Sequence, residues 1–118
     1  MKKEDYLGRP GGEQLDCAVR AITVLVERPY PEVHATFRLC GRNAGSRTSR
    51  LVIAKVAKRY ALRHVVCRRT VRKFLDDVQH IPRLAAVIRG HAFGVVKGVI
   101  ADYEYVNPNA IVKFYYVK

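Results

Sequence analysis

A chain of 118 residues has the length of one domain, and with 49% apolar residues it can bury a core without disulfide staples. No run of eighteen apolar residues occurs, so no bilayer-spanning helix is expected, and Met1 to Tyr6 lack the apolar stretch of a secretory signal. The formal charge of +12 is concentrated, since residues 31–100 hold 15 basic and three acidic side chains.

Residues 6–14 contain Gly8, Pro10, Gly11 and Gly12 and read as a loop. Asp16 then stands as N-cap of a helix over 17–28, with Ala18, Ala21, Ile22 and Leu25 as its buried stripe. Pro29 ends it. Pro31 opens a second helix that runs to Cys40 and stops at Gly41. Thr48 or Ser49 caps a third, with Val52, Val56 and Tyr60 on one side. Arg63 to Cys67 reads as a short strand, and Thr70 caps a fourth helix over 71–78.

The last third changes period. Leu84 to Ile88 has strand length, although its alanines weaken the assignment. His91 to Val96 follows, with Lys97-Gly98 as a hairpin turn and Val99 to Ala101 beyond it. Tyr103 to Val106 alternates, Asn107-Pro108-Asn109 is a turn, and Ile111 to Val117 is a final strand. Helices first and strands last predict one α+β domain over 1–118, with an antiparallel sheet packed on the first helix.

From Arg38 to Lys73 there are 12 basic residues and no acid. Such a block attracts polyanions. Its densest clusters are Lys55, Lys58 and Arg59, and Arg68, Arg69, Arg72 and Lys73, the candidate contacts for a nucleic acid or an acidic protein face. The three cysteines, Cys17, Cys40 and Cys67, form no C-x-x-C pair, so no metal or other cofactor is expected. A reducing cytoplasm suits three free thiols, and Cys40 and Cys67 read as small buried residues.

Cys17 differs because it opens a helix. There the unpaired N–H groups and the macrodipole favour the thiolate, which is the nucleophilic form. Asp16 opposes that charge unless its carboxylate is turned away, and Arg20, on the same helical face, can offset or hold it. His91 begins a strand after Gly90, a position suited to a general base. The turn at Lys97-Gly98 returns Asp102 alongside, where a carboxylate can fix the tautomer. Asn107 is the second candidate for that task.

The pattern Asp16-Cys17-x-x-Arg20-Ala21, followed by Gly90-His91-x-x-x-Val95-x-x-Gly98-x-x-x-Asp102, resembles small papain-like proteins of bacteriophages, and more distantly the bacteriocin-processing cysteine peptidase domains. Pro29 to His34 also looks like the phage group. The resemblance spans residues 14–102 and implies a papain-like fold with Cys17 as nucleophile, His91 as base and Asp102 as orienting acid. It further implies a host-cell cytoplasm. One departure stands out: the family's oxyanion-binding Gln lies about six residues before the Cys, where this chain has Gly11, while Gln14 is only three before.

Two functional readings follow. One is a cysteine hydrolase acting on a peptide, isopeptide or amide bond. The other is a weak or inactive papain-like module that binds a host protein or nucleic acid through its basic 38–73 region, with no membrane partner in either case.

Overall fold

The computed structural model describes residues 15–43, 45–102 and 104–118. Chain order is α1 (Cys17–Val26), α2 (Tyr30–Leu39), α3 (Arg50–Arg59), β1 (Arg63–Thr70), α4 (Val71–Asp77), β2 (Arg83–Ile88), β3 (His91–Val96), β4 (Val99–Ala101) and β5 (Ile111–Val117). The strands form one antiparallel sheet in the order β1-β5-β2-β3-β4. The chain is therefore an α+β domain, with its early helices against a sheet built mostly from its second half.

α1 is the centre of the fold. Ala18 to Val26 are all buried, more than one apolar stripe requires, because the helix is covered by the sheet on one side and by α2 on the other. Its close approach depends on small side chains. Ala85 on β2 and Ala92 on β3 belong to the core around α1, and Gly94 lies so near that an added Cβ would sit 2.6 Å from the Cβ of Val24. The alanines that weaken strand propensity thus make room for the helix. Large residues take the other face, where Leu84, Ile88, Phe93 and Val95 pack with Val71, Phe74 and Val78 from α4 and its end.

Local chemistry sets the boundaries. α1 stops at Glu27, which turns left-handed at φ 55° while its N–H bonds Thr23 O, two residues before the expected end. Ser49 caps α3 by accepting from Val52 N at 3.3 Å, and Thr70 caps α4 by accepting from Lys73 N at 3.3 Å. β1 extends three residues past Cys67 because Arg69 and Thr70 pair with β5 across a register shift. The β3–β4 hairpin turns through Lys97 and Gly98, both at positive φ (49° and 78°), as a tight primed turn demands.

Two expectations need correction. Asp16 does not cap α1: its carboxylate makes no bond to the first-turn N–H groups and turns to Arg20 and Tyr30 instead. Glu104 to Val106 form no strand. Asp102 Oδ1 accepts the Glu104 N–H at 3.3 Å, which bends the chain out of the ladder. Tyr103 itself lies outside the described residues. Among those residues no helix is long and apolar enough to cross a membrane.

Candidate active site

The first residue of α1 meets the first residue of β3. The Cys17 thiol lies beside the His91 ring and the backbone N–H of Ala92, near enough for both to favour the thiolate. Cys17 and His91 are 74 positions apart in the chain, a separation bridged by the packing of α1 on β2 and β3, with Gly94 and Val24 in close contact there. One residue past the Ala101–Gly94 pair, Asp102 places Oδ2 2.8 Å from His91 Nε2. The three side chains form a chain of contacts: sulfur, imidazole, carboxylate.

Burial and charge compete at each member. Burial pushes the Cys17 thiol up, but hydrogen bonds from His91 and Ala92 and the positive charges of His91 and Arg20 outweigh it, leaving the thiol below its ordinary value. Burial disfavours the His91 cation, yet hydrogen bonds to Asp102 and Cys17 and their charges win, raising the ring from 6.5 to about 9. Asp102 is likewise opposed by burial, but is held below the ordinary carboxylate range by His91, Arg20 and the Glu104 N–H. Both shifts run in the direction that favours a thiolate facing an imidazolium.

Arg20 organises the charges behind this pair. It is 2% exposed, in a helix that is otherwise almost wholly apolar. Its Nε donates to Asp16 Oδ1 at 3.0 Å, its Nη1 to Asp102, and its Nη2 pairs with Glu104 Oε1 at 3.1 Å. Tyr30 OH donates to the second Asp16 oxygen at 2.5 Å. Asp16 is thereby directed toward the guanidinium, and its charge is compensated one residue from the sulfur. Glu104 Oε2 also lies 3.3 Å from His91 Nδ1.

A cleft of about 300 Å³ opens beside the pair. Its lining brings Cys17, His91 and Glu104 together with Arg47, Arg50 and Arg89. Arg47 Nη1 donates to Gly90 O at 3.1 Å, tying the loop before α3 to the turn before His91. Among the described residues, His91, Asp102 and Glu104 are the one group of three ligand-type side chains close enough to share a metal ion. Arg20 already occupies both carboxylates, and its charge opposes a cation there.

Of the sequence candidates, Cys17, His91 and Asp102 come together. Asn107 does not join them: it is exposed in the 107–110 turn, where its Oδ1 accepts from Asn109 N at 2.9 Å. Gln14 and Gly11 lie outside the described residues. The basic candidates do not form one patch. Lys58 and Arg68 line a second, larger concavity, Arg69 pairs with Asp77, and Lys55, Arg59, Arg72 and Lys73 are exposed on α3 and α4.

Sequence reasoning missed Glu104, Tyr30 and the central place of Arg20. One signal was present. An arginine flanked by Val19 and Ala21 in an apolar helix must be buried, and a buried guanidinium needs more than one carboxylate. Cys40 and Cys67 are free and pack against opposite cores, but each is half-buried rather than buried as expected. No protein-family model, curated protein or solved structure matches this chain.

Proposed function

We propose that the protein is a cysteine hydrolase of papain-like type, with Cys17 as nucleophile, His91 as acid–base and Asp102 as the group that orients His91. The observation that carries this reading is the contact chain of Cys17, His91 and Asp102, with Cys17 lowered and His91 raised to about 9. A buried structural cysteine has no need of that polarisation.

The reaction suited to it is acyl transfer from an amide. The Cys17 thiolate adds to the carbonyl carbon and an S–C bond forms. The imidazolium gives its proton to the leaving nitrogen as the C–N bond breaks, leaving a thioester on Cys17. Water then adds to the thioester while His91 takes its proton, and the Cys17 thiolate departs with the acid released. Because Asp102 holds Nε2, proton exchange with sulfur and substrate falls to Nδ1, which Glu104 Oε2 also approaches at 3.3 Å.

The test is a digest of a proteome-derived peptide library. Wild-type protein is expected to generate new termini that are missing from digests with Cys17→Ala and with His91→Ala. Identical peptide patterns from all three proteins would refute the hydrolase reading.

A further inference from the structure

The cleft beside Cys17 continues into a larger concavity of about 810 Å³ between α3 and the β1–β5 end of the sheet. The two share Arg50 and Lys113 in their linings. The floor of the larger one is apolar, with Leu62, Val66, Ile111 and the rings of Phe114 and Tyr116. Its rim is basic, formed by Arg50, Lys58, Arg68 and Lys113. The Arg50 guanidinium stands 5.4 Å over the Phe114 ring, held above the floor.

These four cations make no ion pair among the described residues, whereas Arg20, Arg28, Arg69 and Arg83 all do. Among the described residues, Glu104 is the one acidic side chain lining either hollow, and it is engaged with Arg20 and His91. A basic rim without internal countercharge, above an apolar floor, is complementary to a chain that alternates acidic and apolar groups. The rings do not suit stacked bases. Phe114 and Tyr116 are 7% and 5% exposed; they pack edge-on against each other, and His64 packs edge-on against Tyr116 and tilted against Phe114, leaving little open π-face for a base.

We infer that this groove binds an extended acidic peptide segment and feeds it toward Cys17, so that the substrate is a protein with a run of Asp or Glu beside the bond to be cut. This rests on the hydrolase reading for the cut, but not for the binding. An exposed rim of uncompensated charge gives salt-sensitive attraction, and the apolar floor retains the side chains between the acids.

The experiment measures fluorescence anisotropy with Cys17→Ala protein, which holds a substrate without cleaving it. The probe is a labelled twelve-residue peptide alternating Glu with Leu and Ala; its Lys counterpart and a labelled oligothymidine serve as comparators. The expected result is saturable binding of the Glu peptide and none of the Lys peptide. Affinity should fall tenfold or more in Arg68→Ser/Lys113→Ser, and similarly on raising salt from 50 to 300 mM. Both residues are exposed, so the variant keeps its fold, checked by its circular dichroism. Unchanged affinity in the double variant, or tighter binding of oligothymidine than of the Glu peptide, would overturn the inference. Binding as expected without cleavage by wild-type protein would defeat only the hydrolase reading. Cleavage of neutral peptides at the rate of acidic ones would defeat only the acidic groove.

Discussion

The two ends of the sheet handle charge in opposite ways. At the β3–β4 end, Arg20, Asp16, Asp102, Glu104 and His91 form a paired network, with Arg20 2% exposed and Asp16 3% exposed. At the β1–β5 end, Arg50, Lys58, Arg68 and Lys113 line an open concavity without a carboxylate among the described residues. Charge that is buried must be matched within the chain, because desolvation costs several kcal/mol per ion. Charge at a wet rim carries no such requirement and stays available to a ligand. The first end has the construction of a reactive centre and the second that of a recognition surface.

Removing Arg20 should have the largest effect on this contrast. Arg20→Met strands Asp16 and Asp102 without their cation and is expected to cost ~3–5 kcal/mol of stability, measured by urea unfolding. A loss below about 1 kcal/mol would mean that the network is not buried as described. Gly94→Ala comes next. Its Cβ would fall 2.6–2.8 Å from Val24 side-chain atoms, so α1 must shift, at about 1–3 kcal/mol by the same measurement. Because α1 carries Cys17, the variant should also lose thiol reactivity, which a merely local strain would spare.

Asp102→Asn keeps a hydrogen-bonding group at His91 but removes the charge. Asp102 is among the groups that raise His91 to about 9, so the ring should titrate lower, read by NMR of the imidazole. Any alkaline limb of activity should move down with it, and an unmoved limb would place the alkaline ionisation elsewhere. The sign for stability follows from the same values. His91 rises from 6.5 to about 9, so its contribution is complete below 6.5 and fades as pH climbs toward 9. Cys17 and Asp102 are lowered, so theirs is present above their unfolded values and lost as pH falls. The smallest effect belongs to the other end: Arg68→Ser should leave stability within about 0.5 kcal/mol. A large loss there would make the rim a structural feature.

How much was legible in the sequence depended on the range of the interaction. Period and turn chemistry located most elements, including His91 to Val96 and Ile111 to Val117 at their observed bounds. The Lys97-Gly98 turn sufficed to bring Asp102 back to His91, because a hairpin is a local event. Asp16 was misread as a cap since short-range preference favours that role, and only the tertiary positions of Arg20 and Tyr30 turn its carboxylate away. Glu104 was missed for the same reason: its role follows from the bend after Asp102, which interrupts an otherwise strand-like alternation. The basic stretch from Arg38 to Lys73 was visible as composition, but the split that leaves Lys58 and Arg68 in a groove and Arg72 and Lys73 on α4 depends on how β1 pairs with β5.

The central claim is that Cys17 is a thiolate paired with His91, and the rate of its alkylation by iodoacetamide between pH 5 and 9, mapped by peptide mass, tests it most directly. Cys40 and Cys67 in the same chain serve as internal references. The account predicts that Cys17 reacts fastest at pH 6–7, with a midpoint well below the ~8.5 of a free thiol, and that His91→Ala moves the midpoint up. Cys17 reacting no faster than the other two, with a midpoint at or above that of a free thiol, would contradict it.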